Sequence, residues 1–118
     1  MTVQFTSPAS AGKIEGLLDI DEDDLTVEFE KVRFIAKNKV LRLKLPLDDI
    51  DYIRYSAQPF RSKLEVRALF LETLQDIPWA KSLTADFIIP RAERDRAREL
   101  AERFDEFIHE DVEDDNVS

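Results

Sequence analysis

The sequence predicts a mainly β protein with one C-terminal α-helix, an antiparallel barrel or sandwich of six or seven strands that the helix caps. Three observations predict it. Apolar and polar residues alternate with period two in short segments between residues 13 and 89, and the period changes to 3.6 behind Pro90. The connections are also too short for the crossovers that parallel strands need. With 118 residues, the chain has the size of one domain.

The first two predicted strands lie on either side of an acidic turn. The first strand covers 13–20, and the clustered aspartates at 21–24 predict the turn because Asp solvates and bends the backbone. The second strand starts at Leu25 and continues to Phe34. Its alternation changes phase near 30–31, which predicts a β-bulge there.

The remaining strands show the same alternation, at 41–45, 50–55, 64–70 and 83–89. Pro46 ends the first of them, and 47–50 forms a short turn into the next. Six bulky residues are expected to point inward. Four lie on strands, Phe29, Phe34, Phe70 and Phe87, and two lie on the helix, Phe104 and Phe107. This set predicts a filled interior, in contrast to the open cavity of a lipocalin-like ligand barrel.

The helix is predicted over 91–109, after Pro90 has ended the last strand. Its apolar residues recur at steps of three and four, at Ala97, Leu100, Ala101, Phe104, Phe107 and Ile108. The domain therefore covers 13–109. We expect 1–12 to be a flexible N-terminal segment and 110–118 to be a disordered acidic tail.

The charge distribution argues against nucleic acid as a partner. The net charge is −9, and ten of the 26 acidic residues lie in two runs, at 19–24 and 110–115. The other acids roughly balance the 17 basic residues, and no dense basic face with interleaved aromatics is present. The chain has no cysteine, no signal-peptide pattern and no apolar span of bilayer length, so the cytoplasm is the expected compartment.

No catalytic, cofactor or metal site is expected. The only histidine, His109, is predicted at the C-terminal end of the helix, where its positive charge is favourable, and no glycine-rich phosphate loop occurs. The acidic residues of 19–24, together with Glu30, have the spacing of the ligands in a calcium-binding loop. Its sixth position is Asp24 where the turn glycine is needed, so a solvated turn is expected instead.

Three segments resemble the pleckstrin-homology-like (PH-like) superfold, and among its members the bacterial PH and GRAM-type domains. They are Gly-Leu-Leu-Asp-Ile at 16–20, Lys-Leu-Pro-Leu-Asp-Asp-Ile-Asp-Tyr-Ile at 44–53, and the helix 91–109. The resemblance implies a helix-capped antiparallel barrel that serves as an interaction module. Two features depart from it. The closing helix has no tryptophan, and the loop at 21–24, which is basic in phosphoinositide-binding members, is acidic here, so lipid-headgroup binding is not implied.

Two groups of residues are candidates for partner binding. The region 31–44 carries six basic residues and no acid, and Lys37, Lys39, Arg42 and Lys44 are expected to form a patch on a hairpin. This patch is either a docking site for an acidic partner or anionic lipid, or a solvated face that protects a sheet edge. Phe60 and Trp79 each follow a proline in a predicted loop, so they either anchor an interface or close the core.

The sequence therefore predicts a non-catalytic PH-like module that binds a protein partner or a second copy of itself. The alternative is a module that docks on anionic membranes through the basic 31–44 hairpin.

Overall fold

The architecture is mainly β with one long C-terminal helix, which confirms the predicted fold class. A computed structural model describes residues 1–8, 14–31 and 39–117, including the side chains except at 31 and 110–117. The strands are β1 (Thr2–Thr6), β2 (Glu15–Ile20), β3 (Asp24–Lys31), β4 (Lys39–Pro46), β5 (Ile50–Ala57), β6 (Ser62–Ala68) and β7 (Thr84–Ile89), and the helix is α1 (Arg94–Val117). Within the described residues, short 3-10 helices lie at Leu47–Asp49, Leu71–Leu74 and Arg91–Glu93.

All seven strands belong to one antiparallel sheet in the order β4-β3-β2-β1-β7-β6-β5. Neighbours in the sheet are neighbours in the chain except for β1 and β7, which meet at Thr6 and Ile88. The sheet therefore consists of two meanders, β1 to β4 and β5 to β7, that β1 joins.

The prediction of a flexible segment at 1–12 is wrong for Thr2–Thr6, because these residues form β1 in the middle of the sheet. β1 pairs with β2 along its full length, and Val3 and Phe5 are completely or almost completely buried. Only two apolar residues alternate in this short strand. That pattern was too weak to be recognised as a strand from sequence alone.

The core lies between one face of the sheet and α1, and alternate strand residues point into it as predicted. The largest side chains with less than 2% of their surface exposed are Phe5, Phe29, Phe87, Phe104, Leu18, Leu25, Leu64, Leu74, Ile89 and Leu100. On α1, the predicted apolar positions Ala97, Leu100, Ala101 and Phe104 are buried, and Phe107 and Ile108 are half-buried.

The prediction that Phe70 points into the core is wrong, since half of its surface is exposed. β6 ends at Ala68, before the alternation reaches Phe70. Phe34 lies outside the described residues. The β-bulge predicted near 30–31 is wrong, because β3 pairs with β4 in an unbroken register from Asp24 opposite Pro46 to Lys31 opposite Lys39. The turn after Pro46 is confirmed as the 3-10 helix Leu47–Asp49.

The helix is longer than predicted. α1 continues past His109 to Val117, through most of the segment that we expected to be a disordered tail. Extending an existing helix adds one hydrogen bond per residue without a new nucleation cost, so an acid-rich segment can follow a packed helix. His109 consequently lies inside α1, where its Nδ1 donates to the Asp105 carbonyl at 2.6 Å.

Candidate functional site

Trp79 lies in the core, which is the packing alternative of the two that the sequence left open. Only 5% of its surface is exposed. Its ring lies 5.6 Å from that of Phe5, 5.2 Å from that of Phe29 and 5.7 Å from that of Phe87, centroid to centroid. Tilted and edge-on aromatic pairs at such distances add to the stability of a core. Trp79 therefore holds the loop before β7 against the sheet and offers no surface to a partner.

The indole N–H of Trp79 is a polar group inside this aromatic cluster. Within the described part of the chain it has no hydrogen-bond partner. A buried donor without an acceptor costs about 1–3 kcal/mol. The aromatic contacts of Trp79 must offset that cost.

Phe60 has the opposite environment, although it also follows a proline. It lies in the β5–β6 loop with 90% of its surface exposed, and its neighbours Pro59 and Arg61 are exposed as well. Phe60 is thus a single apolar side chain on a polar loop tip. Isolated exposed apolar residues are common on protein surfaces and do not by themselves indicate an interface.

Arg42 and Lys44 of β4 lie on the outer face of the sheet, where Arg42 is paired with Glu28 of β3, whereas Lys39 is paired with Lys31 at the end of the strand. Lys39, Arg42 and Lys44 are exposed, whereas Lys37 lies outside the described residues. Arg42 Nη2 contacts Glu28 Oε2 at 3.4 Å, and Glu28 is its cross-strand partner in the register. A depression on this face is lined by side chains of both signs. The positive potential of the patch is therefore partly compensated.

The acidic turn between β2 and β3 is held by its own first carboxylate. Asp21 Oδ1 accepts hydrogen bonds from the backbone N–H groups of Asp23 and Asp24, each at 2.8 Å. These bonds lower the pKa of the Asp21 carboxyl, and the charge of nearby Lys44 contributes in the same direction. The turn thus has the self-capped geometry expected of clustered aspartates.

An exposed apolar cluster, which we call the apolar loop, consists of Leu69, Phe70 and Leu71. These consecutive side chains expose 51%, 50% and 64% of their surfaces. Together they present on the order of a few hundred Å² of apolar area, the size of patch that often marks an interaction site. The sequence does not predict this cluster, because the alternation through Ala68 suggests that Phe70 points inward.

Backbone hydrogen bonds hold the apolar loop in place. The N–H of Ala68 donates to the Leu83 carbonyl at 2.7 Å, and the N–H of Leu69 donates to the Asp49 carbonyl at 2.9 Å. The N–H of Thr73 closes the following turn on the Phe70 carbonyl at 3.2 Å. The loop is therefore fixed to both the β4–β5 turn and the segment before β7.

The charges next to the apolar loop in the chain and in space are mainly negative. Glu72 follows it directly in the 3-10 helix and is exposed, as is Asp76. Asp49, whose carbonyl accepts from Leu69, belongs to the 3-10 helix Leu47–Asp49, which also contains exposed Asp48. The loop thus combines an apolar centre with an acidic surround.

The outer face of β5 and β6 carries polar side chains that are paired with one another. The Tyr52 hydroxyl donates to the Glu65 carboxylate, which raises the pKa of Tyr52 above its ordinary value. The Arg54 guanidinium lies 4.4 Å from the centroid of the Tyr52 ring, and Arg67 pairs with Asp51 at 3.6 Å. These contacts pair the polar side chains with one another, so this face is a stabilised polar surface.

His109 is engaged by its own helix, and no cluster of three or more potential metal ligands occurs in the described ranges. Among the same residues, no helix combines the length and apolar content that crossing a bilayer requires.

Comparison with known proteins finds no match: no protein-family model, no curated protein and no solved structure is similar to this chain.

Proposed function

We propose that the chain is a non-catalytic, PH-like interaction module of the cytoplasm that binds a protein partner through the apolar loop. The exposure of Leu69, Phe70 and Leu71 is the observation that carries the proposal. Burial of large apolar side chains against a partner is favourable, and it lowers the free energy by roughly 25 cal/mol per Å² of apolar area removed from water. The seven antiparallel strands followed by one helix are the elements that the PH-like resemblance implies.

The way the loop is held supports binding. Because the backbone of Leu69 is bonded to Asp49 and that of the preceding Ala68 is bonded to Leu83, little conformational entropy remains to be lost when a partner binds. The core is filled by aromatic side chains around Trp79, so the surface is the better candidate for recognition than the interior. The acidic surround favours a partner whose apolar patch is rimmed by Lys or Arg.

A photo-crosslinking experiment tests the proposal. A benzophenone amino acid replaces Phe70 in one version of the full chain and Phe60 in another, and both are irradiated in the cells that produce the protein. Both positions are exposed phenylalanines on loops, so Phe60 is a matched control. We expect position 70 to give a covalent adduct with one protein, and position 60 to give none. Adducts at position 60 alone, or at neither position, would overturn the assignment to the apolar loop.

A titration then measures the contribution of the loop. The cross-linked protein is purified and titrated with the wild-type chain, Phe70→Ser and Phe60→Ser. If Phe70 is a central anchor, its substitution should weaken binding on the order of tenfold or more, and F60S should leave the affinity unchanged. An adduct of twice the chain mass identifies a second copy as the partner. Light scattering of wild type and F70S then replaces the titration, with loss of the dimer as the expected result.

Docking on anionic membranes through the 31–44 hairpin is the second candidate, favoured by the exposure of Lys39, Arg42 and Lys44. The contact of Arg42 with Glu28 weighs against it, because an acid beside the cation reduces the attraction for an anionic surface. Sedimentation with anionic vesicles separates the two candidates. Salt-sensitive binding that is lost on charge reversal at Lys39 and Arg42 would support the membrane function and count against the protein-binding one.

A further inference from the structure

The outer edge of β4 has backbone groups available for another strand. β4 pairs with β3 on one side, and the described residues place no strand on the other. The Leu47 N–H donates to the Asp23 carbonyl at 3.0 Å, in line with the β3–β4 register. Because hydrogen-bonded residues alternate in an antiparallel pair, the odd-numbered residues of β4 bond to β3. Val40, Arg42 and Lys44 therefore direct their N–H and carbonyl groups to the open edge.

The two faces of β4 carry different side chains at this edge. On the inner face, Leu41 and Leu43 are only half-buried, so a further strand would complete their burial. On the outer face, Val40 is 59% exposed, and Arg42 and Lys44 are exposed as well. The edge thus shows an incompletely covered apolar row on one side and a basic row on the other.

We propose that the β4 edge binds an extended, acidic segment of a partner protein as an eighth strand. The matching segment alternates apolar residues, which would cover Leu41 and Leu43, with Asp or Glu, which would lie beside Arg42 and Lys44. Opposite charges on facing positions of neighbouring strands stabilise the pair. Main-chain hydrogen bonds supply affinity in this mode of recognition, and the alternate side chains supply specificity.

β3 shows that β4 accepts a strand of this composition. Leu25, Val27 and Phe29 of β3 point into the core, while Glu28 and Glu30 lie on the outer face, where Glu28 contacts Arg42. An acidic residue on the new strand would lie one strand spacing from Arg42, about 5 Å, and about twice as far from Glu28. The attraction to Arg42 therefore outweighs the repulsion from Glu28.

A second copy of β4 is a poor occupant of the same edge. Antiparallel pairing of two β4 strands centred on Arg42 places that residue opposite itself, and pairing centred on Leu43 places it opposite Lys44. Like charges directly opposite each other destabilise a strand pair. The charge pattern thus selects an acidic strand over self-pairing.

The test uses the full chain and a peptide with the sequence of residues 24–31. A control peptide carries lysine at the positions of Asp24, Glu28 and Glu30. Binding is followed by NMR through the amide protons of Val40 and Arg42 and their neighbours in β4. We expect the amides of 40, 42 and 44 to exchange fast in the free chain and about tenfold or more slowly with the acidic peptide, while those of 41, 43 and 45 stay protected throughout. Unchanged exchange at 40, 42 and 44 would overturn the proposal.

A charge swap tests the source of specificity. Arg42→Glu should bind the acidic peptide about tenfold more weakly and the lysine peptide about tenfold more tightly than wild type does. Arg54→Glu is the matched control, because Arg54 is an exposed arginine on the outer face of the other edge strand, β5. If R42E does not fold, Lys44→Glu takes its place. Equal effects of R42E and R54E, or equal binding of both peptides by wild type, would contradict the proposal.

This site is independent of the apolar loop. Phe70→Ser should leave peptide binding at β4 unchanged, and R42E should leave the partner adduct at position 70 unchanged. Failure of one proposal is therefore distinguishable from failure of the other.

Discussion

Gly16 is the residue whose replacement by alanine should most directly report on the packing of the central strands. It lies on β2, opposite Phe5 of β1 and Phe29 of β3. A Cβ atom at this position would lie 2.2 Å from the Glu28 carbonyl oxygen and 2.6 Å from Cζ of Phe5. Both distances are far below van der Waals contact. Gly16→Ala therefore requires movement of a backbone strand as well as of a side chain.

The magnitude follows from two opposing effects. An extra methyl group in a packed interior costs typically about 1–3 kcal/mol, and the clash with a backbone oxygen places Gly16→Ala at the upper end. Replacing glycine also restricts the unfolded chain, which returns about 0.4–1 kcal/mol. The free energy of unfolding should thus fall by about 2 kcal/mol. For a domain of this size, the Tm should fall by roughly 8 °C.

Urea unfolding followed by fluorescence measures this change, because Trp79 is the only tryptophan and lies beside Phe5. Phe5→Leu removes the ring that meets the new methyl group but leaves the Glu28 carbonyl in place. The penalty of G16A should therefore persist in large part in the F5L background, as a double-mutant cycle would show. A G16A variant within about 0.5 kcal/mol of wild type would refute the close approach of β2 and β3 at this position.

Three further predictions concern single side chains. Trp79→Ala should lower the free energy of unfolding by about 3–5 kcal/mol, whereas Phe60→Ala should change it by less than about 0.5 kcal/mol, measured by urea unfolding followed by circular dichroism. Because the folded-state pKa of Asp21 is lowered, its contribution to stability is present above about pH 4 and is lost as the pH falls through that lowered value. Asp21→Asn should therefore flatten the acid limb of stability against pH, and an unchanged limb would contradict the capping role. The raised pKa of Tyr52 means that its contribution is present below about pH 10 and is lost as the pH rises through the raised value, so Glu65→Gln should move the tyrosinate absorbance transition to lower pH.

The elements that could be predicted from sequence are those with a long local pattern. β3, β4, β7 and the buried stripe of α1 each carry several apolar residues at one period, and the structure places them as predicted. β1 has two such residues, and its place in the sheet depends on pairing with β2 and β7, which lie far apart in the chain. Local periodicity contains no information about that pairing.

The candidate site was harder to predict, because exposure depends on where a strand ends. Phe60 and Trp79 share the pattern of an aromatic residue after proline, yet one is exposed and the other buried. Their neighbours differ: buried Leu74 and Ile77 precede Trp79, whereas polar Arg61 follows Phe60. The apolar loop was not predicted, for the related reason that β6 ends at Ala68, directly before it. The pairing of Arg42 with Glu28 depends on the register between β3 and β4 and cannot be read from spacing.

The position of β1 also governs how the chain can fold. Because β1 joins the two meanders in the described part of the sheet, the sheet is complete only when a strand near residue 6 meets one near residue 88. Closing so long a loop is entropically costly, and folds dominated by such distant pairings form in milliseconds to seconds, far more slowly than helical bundles. During synthesis, β1 to β4 can pair while β7 is still absent, so the free edge of β1 stays open until β7 arrives. Deletion of residues 2–6 would remove the strand through which β2–β4 and β5–β7 belong to one sheet in the described structure, and cooperative unfolding of the domain would be lost.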